Sequence, residues 1–350
     1  MSTLTASAQP RQDDVSRPLP WQRMAWITWR QHRLALAGVA VLFGVAGVYL
    51  LITGLVMHHA YGAVAACHPA GKFICMQLAN NFLGTYAPGV GPVLGLLQVI
   101  PALIGAFVGA PVLARELETG TFRYTWTQGF GRVRWAVAKV VPLAVAVTVA
   151  AGAFSVLVSW YVQPLFGAGD SNGPLYPTVF DLRGVALAAW TLAAFAIGVL
   201  AGILIRRVIP AMFATIAAWG GLAFVAGAFL RQHYAAALVT TSLNVRAGAW
   251  LISRGWFRGG QPASLAMINQ TLRPIDIQAV TPGLFQPGPT ARASLGDPAL
   301  YLIHHGYTQL TVYQPVSRFW AFQWIEGGWL LALSLLLIAA TVWLVRRRAT

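Results

Sequence analysis

Residues Leu34–Met57 read LALAGVAVLFGVAGVYLLITGLVM, with no charged side chain from the first residue to the last. About 20 helical residues cross roughly 30 Å of hydrocarbon, so the run is long enough to span a bilayer. A helix of a soluble bundle needs a polar face; neither this run nor Val140–Val162 has one. Four more stretches of bilayer length accompany these two: Val93–Ala114, Gly184–Ile205, Val208–Leu230 and Ile325–Val345. None carries Asp, Glu, Lys or Arg away from its first or last turn. Pro101, Pro111, Pro142 and Pro210 fall inside or near span ends, where neighbouring helices can satisfy the freed carbonyls. The expected fold class is an all-α polytopic membrane protein with six transmembrane helices.

Composition agrees. Of 350 residues 57% are apolar and 9% charged, and the mean hydropathy is +0.63. A soluble domain carries about 25% charged residues, so a soluble enzyme, a disordered chain and a coiled coil are excluded. The net charge is +15, from 24 Lys and Arg against 9 Asp and Glu. In a soluble protein that excess would point to nucleic acid. Here it sorts by loop. Arg11, Arg17, Arg23, Arg30 and Arg33 precede the first span, and Arg115, Arg123, Arg132, Arg134 and Lys139 join spans two and three. Arg206 and Arg207 join spans four and five, and Arg346, Arg347 and Arg348 follow span six. The short connections on the other side hold only Lys72 and Arg183. The positive-inside rule therefore places both termini in the cytoplasm, in a multi-pass protein of the cell membrane. Nucleic acid is not needed to explain the charge. The basic leader is too long for a cleavable signal peptide, and the first apolar run is long enough to span.

Cys67 and Cys75 are the only cysteines, and both fall in the first outer connection. Thiols there are oxidised, so a disulfide is expected, worth about 2–3 kcal/mol by loop entropy. A metal pair with His68 lacks a four-ligand pattern. Residues 231–324 are the largest extramembrane piece. Pro262, Pro274, Pro282, Pro287, Pro289, Pro298 and Pro315 argue against long helices, so an irregular outer cap with short helices is expected. It ends in the run Tyr313–Glu326, whose aromatics suit a membrane-interface belt. Arg318 and Glu326 are placed to pair where the last helix begins. The chain thus divides into a tail at 1–33, spans one to five at 34–230, the outer segment at 231–324, and the last span with its basic end at 325–350.

Before the first span, Trp21, Ala25 and Trp29 share one helical face, and Arg23 and Arg30 lie opposite. That pattern suits an elbow helix lying in the membrane interface. The most informative stretch joins spans two and three, at 115–139. Span two overruns the membrane by about a turn, and Thr119-Gly120-Thr121 breaks the helix. Phe122, Tyr124 and Trp126 follow around Arg123. Gly129 and Gly131 allow a turn, and Arg132, Arg134 and Lys139 open span three. The result is a charged, aromatic surface suited to docking.

This stretch resembles the signature of the type-2 permease family of ATP-binding-cassette (ABC) transporters. Glu116, Gly120, Thr121, Arg132 and Lys139 match that signature in order and spacing, while Gln128-Gly129 replaces a common proline. The Trp-Thr-Gln and Arg-Val-Arg-Trp variant, with the run holding Tyr313, Pro315, Arg318, Trp320, Gln323 and Glu326, is similar to a subgroup of high-GC Gram-positive bacteria. The resemblance implies a permease that pairs with a second copy or a related permease, each docking one cytoplasmic ABC ATPase. It implies a coupling helix in the 115–139 connection, with Glu116, Glu118, Gly120, Thr121, Arg123, Arg132 and Lys139 carrying the coupling, and an outward-moving substrate. The chain has no Gly-x4-Gly-Lys-Ser/Thr phosphate loop. ATP and Mg are therefore expected on the partner, with no cofactor and no catalytic residue in this chain.

Other readings compete. An ion-coupled carrier needs buried ionisable relays, and the spans carry none away from their ends; Gln98, Thr148, Ser155, Ser159 and Thr191 are their main polar side chains. An intramembrane enzyme lacks a His-Glu-x-x-His run. A non-transporting polytopic membrane protein, an immunity or sensory component, is the alternative that stays open.

Overall fold

The computed structural model describes residues 21–68, 72–120, 132–170, 173–243, 245, 248–272 and 298–347. Six helical segments among them are long and apolar enough to cross a membrane. The first is α1 (Trp21–Ala65), one unbroken helix. The separate elbow expected at 21–30 is therefore not a separate element: nothing between Pro20 and the span breaks the backbone, and the chain continues helically.

The second segment departs furthest from the sequence reading. It begins at Phe73, well before Val93, and is assembled from α2 (Phe73–Leu97), α3 (Ile100–Ile104), a π turn (Gly105–Gly109) and α4 (Ala110–Thr119). Pro88 and Pro92 inside α2 lowered the apparent helical signal there. Cys67 and Cys75, with Cα atoms 5.6 Å apart, are joined in a disulfide that ties the end of α1 to the start of α2. Span three is α5 (Arg132–Gly167), and a short α6 (Pro177–Phe180) leads to span four, α7 (Gly184–Ile205). Arg206 closes α7 in the left-handed region at φ 60°, its N–H bonding the Gly202 carbonyl. Span five is α8 (Val208–Val225), extended by a π turn (Ala226–Leu230) and a 3₁₀ turn (Arg231–His233). Span six is α11 (Phe319–Arg347).

Span four is the hub. It packs against spans two, three, five and six, and Ala193, Ala194, Ala196 and Val199 on it are fully enclosed. Lipid tails are as apolar as Leu, so helices associate through close van der Waals fit, which small residues permit. A Cβ on Gly198 would stand 2.2 Å from the Gly105 carbonyl oxygen, and one on Gly105 2.5 Å from that of Ala194. No other residue fits either position.

The described residues of 231–324 are not irregular, contrary to expectation. They hold a four-stranded antiparallel sheet of order β1-β4-β2-β3, so the fold is mostly helical rather than all-α. The strands are β1 (Leu238–Thr240), β2 (Trp250–Arg258), β3 (Gln261–Pro262) and β4 (Tyr307–Gln314), with a bulge between Leu251 and Ser253. Gly259 and Gly260, at φ 59° and 81°, make the two-residue hairpin between β2 and β3. The expected short helices are α9 (Leu265–Leu272) and α10 (Pro298–His304); Ile268, Leu272 and Leu302 pack with Tyr307 and Trp256 of the sheet.

Gly198→Val should destabilise the detergent-solubilised protein by about 1–3 kcal/mol or more through overpacking, read as a fall in its thermal midpoint. Gly44→Val, where a Cβ meets nothing within 4 Å, should leave the midpoint unchanged.

Candidate functional site

The two ends of the bundle carry its polar chemistry. At one end α4, α5 and the turn between α7 and α8 converge. Lys139 of α5 pairs with Glu116 of α4, both largely shielded, and its ammonium lies 4.9 Å from the Trp135 ring centroid. Glu118 accepts the Val208 backbone N–H at 3.0 Å, an orphan donor at the start of α8. Gly120 caps α4 in the left-handed region at φ 73°. Together these contacts clamp the helices from which the 120–132 connection emerges. Thr121 and Arg123 lie outside the described residues, as does the side chain of Arg132. Beside the clamp, Leu34, Phe107, Pro111, Arg115, Glu118 and Met212 line a groove of about 880 Å³.

The opposite end holds charges that the sequence reading did not assemble. Arg231, which follows the π turn of span five, is fully buried, and so is Glu326 in the second turn of α11. The Arg231 guanidinium donates through Nε to Glu326 Oε2 at 3.0 Å and through Nη2 to Oε1 at 2.7 Å. Nη2 also pairs with Asp181, which follows α6. Trp190 of α7 donates its indole N–H to Glu326 Oε1 at 2.8 Å, and Tyr234 donates to Oε2 at 3.2 Å. The guanidinium lies 4.5 Å from the Phe180 ring centroid. Glu326 thus ties spans four, five and six to the connection between spans three and four.

Glu326 does not pair with Arg318, contrary to expectation. The 3₁₀ turn Val316–Arg318 turns that side chain back to the Gln314 side chain and the Ala236 carbonyl. The rest of the Tyr313–Glu326 run is a joint between sheet and bundle. Tyr313 sits in β4 opposite Leu238 and Leu251. Gln314 donates to the Ala235 carbonyl at 2.8 Å. Pro315 precedes the 3₁₀ turn, and Trp320 is exposed. Gln323 donates to the Phe180 carbonyl and accepts the Ala186 N–H at 2.8 Å. Arg183 lies over Phe166 and Phe319 and donates to Ser159; burial lowers its guanidinium to about 10.

Asp181, Arg231, Trp190 and Tyr234 were the residues missed. A charge set against a long apolar run, as Arg231 is after Phe229-Leu230, must find a partner in lipid. That was the available signal, but the partner lies 95 positions away.

Burial raises the Asp181 carboxyl to about 7, helped by the Glu326 charge and opposed by Arg231. Burial also raises the neighbouring Tyr234 hydroxyl. Asp181 therefore holds its proton more tightly folded than unfolded, where it leaves near 3.8. Its stabilising contribution is complete below that value and is lost as pH rises through about 7.

Residues 36–231, more than half of the chain, match the family model described as ABC-2 membrane transporter related. Neither a curated protein nor a solved structure matches the chain.

Two outcomes follow from the buried charges. Arg231→Met should cost about 3–5 kcal/mol, because two carboxylates lose their counter-charge, and adding Glu326→Gln should recover part of that loss in thermal melts. Wild-type protein should lose stability relative to Asp181→Asn as pH rises from about 4 past 7, giving the variant the flatter profile.

Proposed function

The chain belongs to the ABC-2 membrane transporter related family, and from that premise we propose that it is the membrane-spanning permease subunit of an ABC exporter. In this reading it moves an amphipathic or lipid-like substrate outward, and a separate cytoplasmic ATPase hydrolyses the ATP. The observation that carries the reading is the clamp at the Lys139 end. Glu116–Lys139 and Glu118 with the Val208 N–H fix the two helices that flank the 120–132 connection. A load applied to that connection passes into spans two, three and five rather than into a loose loop. The connection is rich in Arg and aromatic residues, a composition suited to docking a soluble partner. The sequence holds no phosphate loop, so nucleotide and Mg belong to the partner.

The permease works as a pair in this reading, with a second copy or a related chain. Spans one and five leave most of their apolar surface uncovered, with Val41, Val45, Ile209 and Phe213 among the exposed side chains. Lipid and a second permease share that surface. The basic residues at 115–139, 206–207 and 346–348 set this face toward the cytoplasm. The sheet then lies outside, in keeping with the Cys67–Cys75 disulfide. The Tyr313–Glu326 run supports membership of the subgroup of high-GC Gram-positive bacteria.

One observation favours a second reading, an ion-coupled carrier. The Asp181–Arg231–Glu326 cluster is a buried set of ionisable groups of the kind such carriers use. It lies where helices begin and end rather than midway along a span, which favours the exporter.

Co-expression with a candidate ABC ATPase from the same genome should give a stable complex. Inside-out vesicles containing it should accumulate substrate with ATP and Mg and keep doing so with a protonophore. Arg123→Ala should lower that transport on the order of tenfold, the scale of a coupling free energy of about 1–3 kcal/mol, while leaving membrane insertion intact. A pure, transport-active dimer without any ATPase, or accumulation abolished by the protonophore alone, would overturn the reading.

A further inference from the structure

At the Glu326 end a cavity of about 410 Å³ opens between span two, the connection from span three to span four, and span five. Gln98, Asp181, Trp190, Trp219, Phe224 and Gly227 line it. Its size falls within the range of small-molecule sites, and its wall is mostly apolar with a few polar groups, as such sites are.

The charge balance selects the ligand. One guanidinium, that of Arg231, faces two carboxylates. It is engaged through two nitrogens with Glu326, which is fully buried behind the cavity wall. Asp181 is the carboxylate that reaches the cavity, with 27% of its side chain exposed. When both acids are ionised the cluster carries one uncompensated negative charge, and the cavity is where it is accessible. Nearby charges do not cancel it. Arg183 turns to Ser159, Phe166 and Phe319, and Arg318 to Gln314 and Ala236. Tyr234 lies on the Glu326 side of the cluster, between Glu326 and Trp329.

The aromatic wall points the same way. Trp190 and Trp219 meet edge to face, with centroids 6.0 Å apart at 77°. The Trp190 N–H is held by Glu326, while the buried Trp219 N–H has no acceptor among the described residues. Indole faces beside a carboxylate attract organic cations, through the ring quadrupole and the charge together. An anion would meet the carboxylate, and a neutral ligand would leave it unpaired.

We propose that this cavity binds an amphipathic organic monocation, its charged head at the Asp181 carboxylate and its apolar body against Trp219 and Phe224. As an assignment of substrate class it rests on the exporter reading; as a binding site it stands alone.

Radiolabelled tetraphenylphosphonium, dialysed to equilibrium against the purified full-length chain in detergent, without ATPase or ATP, should bind saturably. Tetraphenylborate, of the same shape and opposite charge, should not displace it. Asp181→Asn and Trp219→Leu should each weaken binding by roughly tenfold, and Trp343→Leu, on the opposite half of span six, should not change it. Undiminished binding in folded Asp181→Asn, or equal competition by the borate, overturns the proposal. If Asp181→Asn does not fold, Trp219→Leu decides, and unchanged binding there overturns it. Intact cation binding with no ATP-driven transport would overturn the exporter reading alone. ATP-driven transport of another cargo, with no cation binding, would overturn the cavity assignment alone.

Discussion

The close approach of α7 to the broken second span sets the geometry of the bundle. Hydrocarbon supplies no hydrophobic drive between helices, so the fit of surfaces must hold them together. Span four meets that demand by giving up side chains. Its Ala and Gly residues present a flat surface, and the π turn at Gly105–Gly109 lies against it with backbone nearly touching backbone. From that hub the polar contacts at both ends follow. Trp190 of α7 reaches Glu326 at one end. At the other the left-handed Arg206 turns the chain so tightly that the Val208 N–H comes within reach of Glu118.

The buried cluster at the Glu326 end is costly to form and costly to break. Desolvating three ions is repaid only where geometry and hydrogen bonding are good, and Glu326 has four donors on its two oxygens, from Arg231 twice, Trp190 and Tyr234. These groups come from three spans, so the cluster fixes their relative height and rotation as well as adding attraction. The π turn before Arg231 contributes here. An extra residue in that turn shifts the helical register, and the arginine that follows it is enclosed rather than facing outward.

The six spans were legible because their signal is local. Leu34–Met57 needs no partner to be read, and the break at Thr119-Gly120 announces itself through the glycine that caps α4. The start of span two was not legible, since Pro88 and Pro92 sit in α2 without ending it. Neighbouring helices tolerate such prolines in ways a single sequence does not show. The sheet left a readable trace in Gly259-Gly260 between Trp256-Phe257-Arg258 and Gln261, a hairpin signal, but proline density around it dominated the reading. The Asp181–Arg231–Glu326 cluster was not legible at all. Each member lies at a span boundary, where charge is ordinary, and only the packing of α7, α8 and α11 reveals that three boundaries meet. The pairing expected between Arg318 and Glu326 failed for a related reason: the 3₁₀ turn at Val316–Arg318 reverses one side chain relative to the other.

On the exporter reading proposed above, the 120–132 connection must communicate with the cavity at the Glu326 end, and the distribution of helix interruptions points to the element that could carry this. Spans four and six contain no proline and run as continuous helices. Span two is interrupted at Gln98–Val99 and again by the π turn, and carries Pro88, Pro92, Pro101 and Pro111. Bends concentrate at such interruptions. Span two is also the element that bears Gln98 at the cavity and Glu116 and Glu118 at the clamp. Gln98 is itself fastened to the Pro177 carbonyl at 3.2 Å, four residues from Asp181. In that reading a tilt imposed at the 120–132 connection enters the most interrupted of the described spans, pivots on the flat face of α7, and arrives at the wall that holds Gln98 and Asp181. The rigid hub and the jointed neighbour are complementary: without the first a tilt would dissipate in repacking, and without the second it would stop at the clamp.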